Sequence, residues 1–187
     1  LPPMSFGYNA NVPPYEYNVA KAKEELAKSK YPNGYEFNVY TTKSRATPGQ
    51  LMQYYLSEIG ITMNIEFVSS VASHVKGGYT GAVWSSAQNV SLDGGDLFAR
   101  FTTKASNNQA YYSNPKVDEL LTASNSEMDA VKRKQLLEEA QLLIQEDLPA
   151  YELWNQTFMY AINKNVKGLV VGGTTDYDFT TCYVEIP

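Results

Sequence analysis

The side chains able to do covalent chemistry are few and far apart. The chain has one histidine, His74, and one cysteine, Cys182, more than a hundred positions away. No serine sits in a glycine-flanked elbow, so a nucleophile and its base cannot be assembled from a Ser-His or Cys-His pair. His74 lies beside Val71 and Val75 on an expected short helix and reads as an ordinary surface or half-buried residue. Asp93 and Asp96 flank Gly94-Gly95 but lack the further oxygen ligands of a calcium loop, and a turn with a helix cap explains them better. Glu66 and Glu152 could be nominated as the paired carboxylates of a glycosidase. Each falls in an alternating strand pattern, where an outward-facing charge is the plainer explanation. Gly77-Gly78-Tyr79-Thr80-Gly81 misses both the spacing and the Lys-Ser/Thr of a phosphate loop. The lone Cys182 allows no internal disulfide and is expected as a small buried hydrophobe. No catalytic residue, metal site or cofactor is therefore expected.

What remains is recognition. Tyr79 to Trp84 has the bulk and β-branching of a short strand, and the run that follows is polar and poor in helix formers. Through Asn114 the amides and hydroxyls of Gln88, Asn89, Ser91, Asn107, Asn108 and Gln109 are set among Trp84, Phe98, Phe101, Tyr111 and Tyr112. That mixture resembles the lining of a pocket for an uncharged or zwitterionic organic ligand. Trp84, at the strand exit, suits stacking on a ligand and packing equally well. A formal net charge of −5 and the lack of clustered Lys and Arg argue against nucleic acid as a partner. Lys132-Arg133-Lys134 reads as the solvated face of a helix. No apolar run approaches the ~18 residues of a membrane span.

The elements that must position this stretch can be read in order. Pro2-Pro3 and Pro13-Pro14 bracket an extended leader suited to lie as a strap over a surface. Asn18 caps a helix that ends at Tyr31-Pro32-Asn33-Gly34, and Phe37, Val39 and Thr41 alternate as a strand. Thr47-Pro48 is expected to open a helix carrying Leu51, Tyr55 and Ile59 one per turn, closed by Gly60. Ile61, Met63, Ile65 and Phe67 then alternate in a second strand, so strand, helix and strand form a βαβ unit with parallel strands. Ligands of such sheets gather beyond the carboxyl ends of the strands, where the polar stretch departs. Ser69 to Lys76 and Asp96 to Phe101 predict short helices. Asn114-Pro115 caps another, and Asp129 starts the longest, with Leu136, Leu137, Ala140, Leu143 and Ile144 as its apolar stripe and Pro149 as its stop. Tyr151 to Trp154 and Phe158 to Ile162 predict two strands. The tail from Gly168 to Pro187 carries Gly172-Gly173 and then Tyr177, Phe179 and Tyr183. Length predicts one domain over residues 1–187. The start at Leu1-Pro2-Pro3 without a methionine suggests a piece of something longer.

Several of these segments resemble, in the same order, the oligopeptide and dipeptide class of extracellular solute-binding proteins (family 5), which feed ABC importers. Tyr17 to Leu26 looks like that family's "Y-D-x-x-K-A-K-x-L-L" helix, and Leu56 to Ile61 its "L-x-x-I-G-I" junction. Gly78-Tyr79 through Phe98 resembles its "Y-D-x-x-x-x-G-W…D-P…F" segment, and Asn108 to Leu121 its "N…Y-x-N-P-x-V-D-x-L-L". Arg133 to Pro149 is similar to its "R…L-x-x-x-A-Q-x-x-I-x-E-D-x-P" helix, and Val166-Lys167-Gly168 to its "V-K-G".

The resemblance implies an α/β fold: a periplasmic-binding-protein-like lobe with a mixed sheet flanked by helices, here the C-terminal lobe of a two-lobed protein. It implies non-catalytic binding of a solute outside the cell, with Trp84, Ser86, Gln88, Asn89, Asp93, Asn108 and Tyr111 as ligand-binding residues. The implied partners are a peptide or small-molecule ligand, the N-terminal lobe of the same protein and an ABC transporter permease. Contact with the membrane would come only through a lipid anchor outside this stretch. Counted without gaps from Tyr79, the family's tryptophan falls on Ser86 and its amine-holding acid on Asn89. A neutral amide there cannot make the charge-assisted contact to a peptide's α-amine, so the anchor shifts to Asp93 or Asp96, or the ligand lacks the amine. An oligopeptide is the first expectation and an oligosaccharide the second, with nickel or haem ligands behind. A glycoside hydrolase domain using Glu152 or Asp96 is the alternative from another class, and an interaction module whose aromatics form an interface is a third.

Overall fold

The computed structural model describes residues 1–86, 92–155, 157, 159–172 and 177–186. Length predicts one domain; the contacts gather into two compact units, Pro13–Ala87 and Leu1–Val12 with Gln88–Pro187.

The first of these is a βαβ unit with additions. Helix α1 (Val19–Lys28) starts where the Asn18 side chain accepts the Lys21 N–H, as the sequence predicts. Strands β1 (Tyr35–Thr41) and β2 (Ile61–Phe67) pair in parallel, Tyr35 opposite Ile61 through Thr41 opposite Phe67. Val39 and Met63 are buried on one face, while Glu66 points to solvent. Strand β3 (Ala82–Val83) adds to the other edge of β1, so the order is β2-β1-β3, all parallel.

Helix α2 (Ala46–Ser57) departs from expectation at both its start and its face. A 3-10 turn over Lys43–Arg45 runs straight into it, so Thr47 and Pro48 are its second and third residues and Thr47 is no cap. Proline is tolerated there because first-turn N–H groups have no partner within the helix. Leu51 is 53% exposed and Tyr55 is also exposed. The helix meets the sheet through buried Gly49, where an added Cβ would stand 2.8 Å from Ile65 Cδ1 and 3.7 Å from the Trp84 ring. Gln53 donates to the Met63 carbonyl (2.7 Å). A missing side chain, rather than the bulkiest ones, sets the packed face. Helix α3 (Val71–Lys76), capped by Ser70, buries Val71 and Val75. It lays His74 on the Tyr40 ring, centroids 4.1 Å apart.

The second unit is built on three helices, α4 (Gly95–Phe101), α5 (Pro115–Ser126) and α6 (Ala130–Asp147). Asn114 and Asp129 cap the last two as expected, each side chain accepting two backbone N–H groups. Leu97, Val117, Leu120, Leu121, Leu137, Ala140 and Ile144 form one core, with Leu136 and Leu143 partly buried against it. Residues 1–12 of the expected leader lie on α6, in a run of turns rather than extended, with the Ser5 N–H bonding to the Pro2 carbonyl and the Tyr8 N–H to that of Ser5. Asn9 donates to the Glu138 carbonyl (3.1 Å), and Gln141 donates to the Gly7 carbonyl (2.7 Å). Gly7, at φ +80°, leaves no room for a Cβ against Leu137.

The C-terminal region departs from the strands that the sequence predicts. Among the described residues of 151–162 there is no strand, and Tyr151, Trp154, Tyr160 and Ile162 are exposed. The alternation there forms no ladder, Tyr160 standing edge-on to Tyr177 with centroids 5.5 Å apart, and Glu152 does not stand on a strand. The pairing lies further on and is antiparallel. β4 (Val166–Lys167) pairs with β7 (Tyr183–Val184), and β5 (Val170–Val171) with β6 (Tyr177–Asp178). Parallel and antiparallel pairings thus both occur, in separate sheets, within an α/β chain. Cys182 is half-buried rather than enclosed.

Candidate functional site

In the βαβ unit the three strand exits are tied together by one buried residue. The Thr41 carbonyl accepts the Val68 N–H (2.8 Å), and its hydroxyl donates to the Trp84 carbonyl (2.9 Å). The Trp84 N–H donates in turn to the Tyr40 carbonyl (3.0 Å). The indole is half-buried beside Gly49, so part of its surface serves packing. Ser86 is exposed just past it. Gln88 and Asn89 lie outside the described residues, as does Ser91.

Beyond the end of β1 stands a group that sequence reasoning passed over. Arg45 Nη1 donates to Thr42 Oγ1 (2.8 Å), and the Thr42 and Ser44 hydroxyls are 2.9 Å apart. The guanidinium is half-buried, and among the described residues no carboxylate lies within ion-pair distance of it. The remaining N–H donors of its planar fork, with no described acid to neutralise them, suit a bidentate oxyanion. The signal in the sequence was a cation in the first turn after the leading strand of a βαβ unit. A separate open recess, lined by Tyr35, Glu36, Phe37, Asn38, Thr80 and Gly81, lies along the amino-terminal half of β1, away from the strand exits.

In the helical unit Asp93, Asn108 and Tyr111 are placed in distinct ways. Asp93 works as a brace: Oδ1 accepts the Gly95 N–H (2.9 Å) at the entry to α4. Arg133 Nη2 donates to its carbonyl (3.0 Å) and lies 3.3 Å from Oδ2, with the guanidinium over the Phe6 ring. Asn108 spends its amide on the loop itself. It donates to the carbonyls of Thr102 (3.2 Å) and Tyr112 (2.7 Å) and accepts the Tyr112 N–H (3.0 Å). Tyr111 is 58% exposed and has a left-handed backbone, φ +52°. Asp147, at the end of α6, accepts from the Tyr112 hydroxyl (2.5 Å) and from the Asn114 amide (2.7 Å). Burial, then that bond to Asp147, raises the Tyr112 phenol above its ordinary range; the bonds from Tyr112 and Asn114 hold the Asp147 carboxyl below its own. Sequence reasoning missed Asp147, which lies 35 residues from the tyrosine it holds. Among the described residues no His, Cys, Asp and Glu side chains cluster in a way that could hold a metal ion.

Known proteins resemble this chain in sequence and in fold. The family model described as "Bacterial extracellular solute-binding proteins, family 5 Middle" matches residues 1–109. The glutathione-binding protein GsiB of Pectobacterium atrosepticum is 28% identical over 194 residues, covering 95% of this chain and 37% of that protein. GsiB of Escherichia coli K12 is 26% identical with similar coverage. Among solved structures, the periplasmic binding protein DppA of Helicobacter pylori, in complex with peptide STSA, is 30% identical with a TM-score of 0.72. The match covers 79% of this chain and 31% of that one. A dipeptide-binding protein from Pseudoalteromonas, in complex with Met-Leu, shares the fold: TM-score 0.77, 23% identity, 98% of this chain and 39% of that one. The chain therefore spans less than two fifths of the length of these relatives. With the model covering more than half of its residues, the chain belongs to family 5 of the bacterial extracellular solute-binding proteins, which bind solutes rather than transform them.

Proposed function

We propose that this chain forms one wall of a cleft that captures an oligopeptide outside the cell for delivery to an ABC transporter. The observation that carries the reading is the family match over residues 1–109. Its ligand class is supported by relatives named for glutathione and solved with peptide STSA, both chains of amide-linked amino acids. Arg45 fits that class, because a peptide brings a carboxylate to a guanidinium that no described acid neutralises. Within their own units, Trp84 and Ser86 at the β3 exit and Tyr111 on its loop are further ligand-binding residues of this reading, with Asp93 and Asn108 in support; Gln88 and Asn89, outside the described residues, belong to it by their place in the sequence. The opposite wall is the N-terminal lobe of the same protein, and closure of the two about a hinge presents the loaded form to the permease. The full-length protein is held at the outer face of the membrane by a lipid anchor.

Native mass spectrometry of the full-length protein, purified with its cargo, tests the ligand class. Bound masses that fragment as peptides are the expected result; saccharide cargo with indifference to added peptide refutes it. Removing a charge-assisted bidentate contact costs roughly 10- to 100-fold in affinity, so Arg45→Ala should weaken peptide binding by that factor. The isolated chain offers half of the enclosing surface and should bind weakly. Submicromolar binding to it in titration calorimetry contradicts the two-walled cleft.

A further inference from the structure

We propose that the uncovered half of β1 is a docking edge for an extended segment of another protein, one that sets a Lys or Arg across from Glu36. The edge lies away from the strand exits, so the inference goes beyond the cargo cleft and does not depend on the peptide reading.

β2 pairs with β1 from Tyr35 to Thr41 without a bulge, whereas β3 covers only Val39 and Tyr40. A strand presents the N–H and C=O of alternate residues to each side. The Thr41 carbonyl faces β2, where it accepts the Val68 N–H, and the Tyr40 carbonyl faces β3, where it accepts the Trp84 N–H. Even-numbered residues of β1 therefore address the β3 side, and β3 begins at Ala82, too late to reach Glu36. Among the described residues the Glu36 N–H and C=O and the Asn38 N–H have no hydrogen-bond partner. They open into the recess whose far end is formed by Thr80 and Gly81. Open strand edges are commonly blunted by Lys, Pro, a bulge or a covering group. The outer edge of β2 has such a device, since the Met63 carbonyl, which points away from β1, accepts the Gln53 amide (2.7 Å). Tyr35 to Asn38 has none of these, and its open main-chain groups, at strand spacing, match the backbone of an extended chain.

The side chains of the edge select the occupant. On one face Glu36 accepts the Asn64 amide through Oε1 (2.8 Å), which leaves Oε2 for a cation, and among the described residues no cation lies within ion-pair distance of it. On the opposite face the Tyr35 and Phe37 rings stack with centroids 5.9 Å apart, and Tyr31 packs on Tyr35 at 4.5 Å. An added strand alternates its side chains in the same way, so a basic residue across from Glu36 and an apolar one across from Phe37 meet both faces. A second copy of this chain fits poorly. Only Glu36 has both main-chain groups open, so two such edges related by a two-fold would pair Glu36 with Glu36, and the formal net charge of −5 adds to the repulsion.

The test uses full-length protein and a blocked probe, acetyl-Val-Lys-Val-Thr-amide, at a concentration on the order of 10 mM; the probe lacks the free carboxylate and amine of a peptide cargo. Amide hydrogen exchange is followed residue by residue by NMR. With probe present, the Glu36 and Asn38 amides should exchange about fivefold more slowly, while that of Phe37, which faces β2, stays as it was. A probe N-methylated at its Lys and its second Val lacks the donor for the Glu36 carbonyl in either strand direction and should protect neither amide. Glu36→Lys should lose the lysine probe and gain acetyl-Val-Glu-Val-Thr-amide; the residue is exposed, so the fold tolerates the change. Unslowed exchange at both amides, equal protection by the N-methylated probe, or a Glu36→Lys protein that still prefers the lysine probe overturns the inference. So does protection that deepens with protein concentration in the absence of probe, which assigns the edge to a second copy. The masses of cargo carried from the cell decide the peptide reading separately, and neither result fixes the other.

Discussion

Replacing Gln141 by leucine isolates the attachment of the leader to α6. The Gln141 amide is 7% exposed and donates to two carbonyls, those of Gly7 (2.7 Å) and Leu137 (2.9 Å). The Leu137 carbonyl keeps a partner in any case, because helix geometry gives it the Gln141 backbone N–H. The Gly7 carbonyl does not, and leaving a buried acceptor unsatisfied costs about 1–3 kcal/mol. The added apolar surface of leucine returns about 0.8 kcal/mol, roughly one buried methylene. A net loss of up to about 2 kcal/mol should fall on the leader alone, and near 1.4 kcal/mol it means roughly tenfold more frequent opening. Hydrogen exchange reports this directly, since the Phe6 N–H bonds to the Leu92 carbonyl (2.7 Å) and the Tyr8 N–H to that of Ser5 (3.1 Å). These amides should exchange about tenfold faster in Gln141→Leu, with those of β1 and β2 unchanged. Unaltered exchange at Phe6 and Tyr8, or equal acceleration throughout the chain, would show that this amide does not hold the strap.

Gly81→Ala should detach β3. At φ +98° a Cβ would overlap the Asn38 carbonyl oxygen, a backbone atom that cannot swing aside, so a penalty of about 2 kcal/mol or more is expected. Faster exchange of the Trp84 N–H reads it, and exchange as slow as in the wild type counts against the pairing. The Tyr112–Asp147 brace should depend on pH at both ends. The Asp147 pKa is lowered, so its contribution is present above the unfolded value of about 3.9 and is lost as pH falls through the folded one. The Tyr112 pKa is raised, so its contribution is present below about pH 10 and is lost as pH rises through the folded value. The amide shift of Tyr112 should hold steady between roughly pH 5 and pH 9 and move below that window. The acid-side movement should vanish in Asp147→Asn, and an acid limb that survives this change assigns it to another group.

The sequence by itself determined the elements whose causes lie within a few residues. Asn18, Asn114 and Asp129 cap helices because a side-chain oxygen reaches N–H groups two or three positions on. The alternation in 35–41 and 61–67, joined by a helix too short to do anything but cross over, was enough for the parallel pair. The order of weak motifs was enough for the family. Tertiary structure alone decided what each polar group is for. Asp93 meets Arg133 forty residues away, Asn108 turns back on its own loop, and Asp147 reaches Tyr112 across 35 residues. Gly49, not Leu51, became the packed face of α2, because the approach of Ile65 and Trp84 depends on where the sheet lies. The runs at 151–154 and 159–162 carried the alternation of strands and formed none, since a strand also needs a neighbour to pair with. Caps and periods are short-range and leave a record in adjacent residues. Hydrogen-bond partners and buried faces are choices among distant groups, made only when the chain has brought them together.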